Sequence, residues 1–209
     1  MAKYEKKDLR VVKTKKYLLK AFQSLLYKKS FDKITVNDIC EKALVSRAAF
    51  YTHYNDKYAL LKDSLMDTGQ EFIDTIQLCI TDEEQIEATI GRYIYDYRQH
   101  ITHLMAESNS ELLNIISDFF IHFIGCVITG TKLKNVEETE KSIKDAKNHK
   151  DDLVYTTLYT FCAGGIVGVL VSYATKRFPP DSKEVAGYVY RIVKLLVYNG
   201  DIMSIIGRK

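Results

Sequence analysis

Apolar residues recur along almost the whole chain at helical spacing. From Asp8 to Tyr27 they fall at Leu9, Val12, Leu18, Leu19, Phe22, Leu25 and Leu26 with lysines between them, which predicts an amphipathic basic helix. Lys28-Lys29-Ser30 closes it with cations near the helix C-terminus, and Phe31-Asp32-Lys33-Ile34 forms a connector with an apolar anchor at each end. Thr35 is a good N-cap and stands three residues before Asp38, a variant of the capping box, so a short helix is predicted over Val36 to Lys42 with Val36, Ile39, Cys40 and Ala43 on its apolar face. After an Ala43-Leu44-Val45 turn, Ser46 caps a second short helix, Arg47 to Tyr54, that turns Phe50 and Tyr54 inward. Asp56 then starts a long helix running to about Cys79.

Farther on, Ile86, Ile90, Tyr93, Ile94 and Tyr97 continue the helical period. A wide stripe from Leu112 through Phe119, Phe120 and Phe123 to Ile128 predicts a helix buried nearly all round. Thr131 to Asp152 is almost wholly charged or polar and predicts an exposed connector. Leu153 to Lys176 predicts a long apolar helix, stopped by Arg177-Phe178-Pro179-Pro180. A last helix follows to about Tyr198, with Val185, Tyr188, Val189, Ile192, Leu195 and Leu196 on one face. The fold class is therefore all-α.

Composition agrees. Ten Gly and two adjacent Pro in 209 residues are too few to punctuate a β-sandwich or barrel, and 46% hydrophobic with 27% charged residues suits a globular chain with a real core. The longest apolar run, Phe161 to Val171, is about half of what a bilayer span requires, and the N-terminus has no apolar signal region, so no membrane partner and a cytoplasmic location are expected. Cys40, Cys79, Cys126 and Cys162 lie 36 to 47 residues apart with no metal-ligand spacing, and read as small buried hydrophobes of a reducing compartment.

Charge changes the picture. Residues 1–61 hold fourteen Lys/Arg against six Asp/Glu, a sum of +8, which leaves −5 for the other 148 residues of a chain whose total is +3. A basic block of this kind is the footprint of a polyanion partner, because each cation near a phosphate releases counterions; a solvated basic face has the same sum. The order of elements favours nucleic acid. Two short helices joined by a three-residue turn, behind a support helix, make a helix-turn-helix whose second helix presents Arg47, Ala48, Ala49, Tyr51, Thr52 and His53. One guanidinium, small residues and hydroxyls form a groove-reading surface.

These residues carry a resemblance. The stretch from Ile34 to Leu61, ITVNDICEKALVSRAAFYTHYNDKYALL, resembles the signature of TetR-family transcriptional regulators, approximately T-V-x-D-I-A-x-x-A-G-V-S-R-G-T-F-Y-x-H-F-x-x-K-x-x-L. Ala21-Phe22 and Phe31-Asp32-Lys33 are similar to the family's first helix and connector. Cys40 departs where Ala is usual, and Leu44 where Gly makes the turn; a left-handed turn costs a non-Gly residue roughly 1 kcal/mol, or the turn takes another shape. Phe161 to Ala186 resembles the C-terminal segment of a TetR subgroup that includes the regulator of dihydroxyacetone kinase genes.

The resemblance implies two domains, 1–55 for DNA binding and 56–209 for effector binding and dimerisation. It implies that Arg47, Ala48 and Thr52 meet base edges of double-stranded operator DNA, with Ala49 on the same helix. Thr35, Asn37, Ser46, Tyr51, His53 and Lys57 would hold phosphates, and Lys3, Lys6, Lys7 and Arg10 would add backbone contacts. It implies a homodimer through a four-helix bundle. Gly164, Gly165 and Gly168, which let another helix approach, point to the same face, with Val185, Tyr188, Val189, Ile192 and Leu196; packing within the chain is the other use for such glycines.

Tyr93, Tyr97 and His100 line one helical face opposite Phe119 and Phe123, and with Tyr155 and Tyr159 they are the candidate wall of a small-molecule effector cavity. The same pattern is that of an ordinary aromatic core. His100 and His103 stand at a spacing that can bind a metal, with His122 near, but such a pair is more commonly a helix-end feature, and neither metal nor cofactor is expected. No nucleotide, nucleophile or metalloprotease motif is present, so an enzyme is not expected. The expected function is sequence-specific transcriptional control, repression relieved by a small molecule. The alternative is a ligand-dependent coactivator or adaptor working through a protein partner.

Overall fold

The computed structural model describes residues 2–78, 82–106, 109–129, 132–133, 152–177 and 184–191. Among them there are helices and no strand: α1 (Ala2–Leu26), a one-turn 3-10 helix (Phe31–Lys33), α2 (Val36–Ala43), α3 (Arg47–Tyr51), α4 (Lys57–Leu78), α5 (Glu83–Met105), α6 (Ser110–Thr129) and α7 (Asp152–Ala174), with a further helical segment at 184–191. The all-α expectation holds, and several of the described boundaries follow local chemistry. Thr35 accepts from the Asp38 N–H while the Asp38 carboxylate accepts from the Thr35 N–H, a complete capping box at the start of α2. Asp56 Oδ1 accepts from Ala59 N at 2.8 Å and caps α4. The helix of Arg47 is shorter than its pattern suggested, ending at Tyr51.

The chain divides into two compact units. Unit 1 comprises Met1–Leu65 and Gln99–Leu112; unit 2 comprises Met66–Arg98 and Leu113–Lys209. Unit 1 has a core of Leu18, Phe22, Ile34, Ile39, Phe50, Leu60 and Leu61, all essentially inaccessible, with the Phe22 and Phe31 rings edge-to-face at 6.2 Å. The end of α5 belongs to this unit. There His103 Nδ1 lies 2.8 Å from the carbonyl of Leu26, the last residue of α1, and His100 Nε2 lies 3.1 Å from that of Gln23. A carbonyl can only accept, so each of these nitrogens donates, and the two imidazoles cap α1 from a helix 77 residues away.

Among the described residues of unit 2, apolar side chains gather in three clusters. Ile94, Tyr173, Val185 and Ala186 form one, Ile73, Cys126 and Leu133 a second, and Ile124 with Ala163 a third. Gly69 belongs to α4 where a side chain would not fit, since a Cβ there would stand 2.6 Å from Leu133 Cδ2 and 2.9 Å from the Phe119 ring. Leu133 is held by its own N–H, which donates to the buried Gln70 Oε1 at 2.7 Å. The α6 stripe is not buried all round: Leu112, Ile115, Ile116 and Ile124 are, but Leu113 is 42% exposed. Cys40 and Cys126 are buried thiols and Cys162 is half-buried, the small-hydrophobe role their spacing suggested. No helix among the described residues is long and apolar enough to cross a membrane.

Candidate nucleic-acid interface

The turn between α2 and α3 is the point of departure from the usual glycine, and it keeps the glycine conformation. Leu44 has φ 55° and ψ 42°, in the left-handed region. Its N–H donates to Glu41 O at 3.2 Å, and Val45 N donates to Cys40 O at 3.0 Å. That pair of bonds is a Schellman motif, which requires a left-handed residue at the Leu44 position. The Leu44 side chain is 93% exposed, so no packing offsets the backbone cost.

Three residues later α3 begins. Ser46 Oγ accepts from Ala49 N at 3.1 Å, as an N-cap should. Phe50 is fully buried and anchors the helix, its ring edge-to-face with Tyr51 at 5.4 Å and tilted against Tyr54 at 5.8 Å. With Phe50 inward, Arg47, Ala48, Tyr51 and Thr52 are all exposed, at positions i, i+1, i+4 and i+5 of one face. Ala49 and His53 flank that face and are half-buried. Arg47 Nη2 lies 3.4 Å from the Tyr51 hydroxyl and its guanidinium 5.9 Å from the Tyr51 ring centroid, which holds the charge over the exposed side of the helix. The Thr52 hydroxyl donates to Ala49 O at 2.7 Å, and the residue is exposed.

The expected phosphate ligands divide by what already holds them. Ser46 and Thr35 use their hydroxyls as caps. Asn37 donates to Glu41 Oε1 at 2.8 Å on the exposed side of α2. Asp38 Oδ2 accepts from Thr35 N, Thr35 Oγ1 and Lys29 Nζ, each at 2.8 Å, and the Lys29 ammonium with the Thr35 donors holds this carboxyl down to about 2. Lys29 thus ties the residues after α1 to the start of α2, a link for which the sequence carried no periodic signal. Lys57 is turned inward, its ammonium donating to the carbonyls of Phe31, Asp32 and Ile34. The side chains of Lys3, Lys6 and Lys7 lie outside the described residues.

Residues 18–63 match the family model described as "Bacterial regulatory proteins, tetR family", a stretch that covers the end of α1 from Leu18, both short helices and the start of α4. That match spans 46 of the chain's 209 residues, the helix-turn-helix region. Two HTH-type transcriptional regulators of Bacillus subtilis are similar to the chain: YxbF, 37% identical over 78 residues, and YdeS, 40% identical over 58. Those matches cover 37% and 28% of this chain, and only 20% and 29% of the relatives' own length. Similarity of fold extends over nearly the whole chain. A TetR transcriptional regulator from Streptococcus agalactiae 2603V aligns with a TM-score of 0.56 at 23% identity, over 91% of this chain and 98% of that one. The dihydroxyacetone kinase operon activator DhaS aligns at 0.54 and 17%, over 88% and 96%. At these identities the likeness is one of fold.

Beyond the helix-turn-helix, four of the residues expected around an effector meet in unit 2. Tyr93 and Tyr97 stack at 5.8 Å, and Phe119 and Phe123 lie 5.8 Å apart. Phe72 joins the two pairs, 4.8 Å from Tyr93 and 5.6 Å from Phe123. The sequence reading overlooked Phe72, although Met66, Gly69, Phe72, Ile73 and Ile76 recur at helical spacing. Burial raises the Tyr97 hydroxyl above its ordinary pKa, against a hydrogen bond from Thr68 that lowers it. His100 is not among these rings: it belongs to unit 1, where it packs 5.6 Å from Tyr27. The side chains of Tyr155 and Tyr159 lie outside the described residues.

On α7, no described residue lies within 4 Å of where a Cβ would stand at Gly164, Gly165 or Gly168, and Phe161 on the same i, i+3, i+4, i+7 face is 73% exposed. Tyr188 is exposed and Val189 half-buried, but Val185 is packed with Ile94 and Tyr173 inside the chain. Ile192 and Leu196, and the connector from 134 to 151, lie outside the described residues.

Proposed function

We propose that this chain is a TetR-family, sequence-specific regulator that binds double-stranded operator DNA as a homodimer and is released from it by a small-molecule effector. The observation that carries the reading is the α3 face: Arg47, Ala48, Tyr51 and Thr52 exposed together on a helix pinned by a fully buried Phe50. A helix presented in this way fits a major groove, where a guanidinium can bind guanine O6 and N7 in bidentate fashion and Thr52 offers a methyl group to thymine. The +8 block of residues 1–61 supplies non-specific attraction to the duplex.

Pairing of two copies is supported by the α7 face of Phe161, Gly164, Gly165 and Gly168 and by the exposed Tyr188, while Val185 and Val189 of the same expected face pack with Ile94 and Tyr173 within the chain. The effector reading is supported by the Tyr93, Tyr97, Phe72, Phe119 and Phe123 rings, which offer apolar faces and two phenols. Selection of bound duplexes from a random library tests the proposal. An enriched inverted repeat, with half-sites about one helical turn or a multiple apart, is the expected result. No enrichment despite a folded dimer would overturn it and move weight to an adaptor that works through a protein partner.

A further inference from the structure

Lys57 is the first residue of α4, a poor position for a cation, because the helix dipole places positive charge there already. Its ammonium is nonetheless fully engaged. It donates to Phe31 O at 2.8 Å, Ile34 O at 3.0 Å and Asp32 O at 3.1 Å, which uses the three N–H bonds an ammonium has. The Phe31 ring lies 4.5 Å from the nitrogen and that of Tyr58 6.0 Å, so the remaining sides are aromatic. Burial lowers the ammonium's pKa, opposed by the nearby Asp32 charge. The three carbonyls belong to the one-turn helix and to Ile34, the residue before the Thr35 cap of α2.

We infer that Lys57 is a positioning residue, an internal cation whose carbonyl cage fixes the 31–34 connector, and through Thr35 the helix-turn-helix, against the first turn of α4. It is not a phosphate ligand. The cage stands on geometry alone; its consequence for DNA rests on the proposed function above. Carbonyls of 31, 32 and 34 converge because the connector turns as a 3-10 helix, with Lys33 N donating to Ser30 O and Ile34 N to Phe31 O, which points successive C=O groups the same way. Without the cation these oxygens repel one another. Arginine cannot replace it, since a planar fork matches two parallel acceptors and not three convergent ones.

The test compares wild type, Lys57→Met and Lys57→Arg. Binding to a random-sequence duplex is measured against salt, with thermal unfolding in parallel. A phosphate ligand lost to Met lowers the log–log salt slope by about 0.9, and Arg restores it. The cage predicts a slope unchanged within about 0.3 for both variants. It also predicts lowered unfolding midpoints and weaker affinity at every salt, with no rescue by Arg. A slope reduced by about one with an unchanged midpoint and rescue by Arg would overturn the inference. If the variants do not fold, nitrogen-15 spectroscopy of the wild-type Lys57 ammonium decides. A hydrogen-bonded, slowly exchanging signal that the same duplex leaves in place supports the cage, and a signal that is absent in the free protein and appears with DNA refutes it. Wild type that fails to bind any duplex would sink the proposed function while leaving this spectroscopic arm to judge the cage.

Discussion

Replacing Leu44 by glycine should make the protein more stable. Leu44 adopts φ 55° and ψ 42° with 93% of its surface exposed, so the mutation relieves a backbone cost and removes almost no packing. An L-residue in this conformation costs roughly 1 to 2 kcal/mol through contact of Cβ with the following carbonyl. Glycine avoids that contact but brings a more flexible unfolded chain, which takes back about 0.4 to 1 kcal/mol. The net gain is therefore about 0.5 to 1 kcal/mol. With a urea slope of about 2 kcal/mol per molar, the midpoint should rise by roughly 0.2 to 0.5 M at constant slope. Leu44→Ala is the control, because it removes the same exposed side chain and keeps Cβ; it should stay within about 0.5 kcal/mol of wild type. Urea titrations followed by circular dichroism, at one fixed protein concentration, read both variants. Should Leu44→Gly prove no more stable than Leu44→Ala, the left-handed turn is not strained and the argument fails.

Other substitutions probe the remaining elements. Arg47→Ala should weaken specific operator binding by roughly 1 to 3 kcal/mol and leave thermal stability nearly unchanged, because the side chain is exposed; titrations on selected and random duplexes separate base from phosphate contacts. Gly69→Ala should destabilise by roughly 1 to 3 kcal/mol despite alanine's better helix propensity, since its Cβ would lie 2.6 Å from the fully buried Leu133; urea unfolding measures it. Burial lowers the His100 pKa, so its neutral form stabilises the fold above the ordinary value of 6.5, and that stability is lost as pH falls below it; His100→Gln keeps a donor for Gln23 O and should flatten the change in urea midpoint between about pH 7.5 and 5. Light scattering should give about twice 24.1 kDa for the wild type and a smaller mass for Gly168→Leu, which adds a bulky side chain where no described residue of the same chain approaches.

Local chemistry made the helix-turn-helix legible. The Thr35, Ser46 and Asp56 caps, the inward Phe50 and the outward Arg47 all follow from side chains within four residues of the backbone they serve. What escaped the sequence is non-local. The hydrogen bonds from His100 and His103 to α1 span 77 residues, and those from Lys57 to the connector span 23 to 26. No period announces either, because one polar atom meeting one carbonyl leaves the hydrophobic pattern untouched. Val185 shows the complementary difficulty. Its position on an apolar stripe is the same whether the stripe faces a partner copy or Ile94 of its own chain, and only packing distinguishes the two.

The long helix that Asp56 caps does not stay within one compact unit. Three helices have residues in both units, α6 with only Ser110 to Leu112 in unit 1. α4 contributes its residues through Leu65 to unit 1 and the rest to unit 2, while α5 runs the other way, through Arg98 in unit 2 and from Gln99 in unit 1. The consequence is energetic. A tilt of α4 alone is a single-hinge motion, but α5 is continuous across residue 98 and its far end is bonded to Gln23 and Leu26 of α1. Any displacement of that end either carries the support helix with it or breaks two hydrogen bonds, at roughly 0.5 to 1.5 kcal/mol each. A coupling of 1 to 3 kcal/mol, which is what about 5- to 150-fold effector control requires, is of the same size. Those two imidazole–carbonyl bonds together are thus of the size of the coupling that the proposed effector control would require.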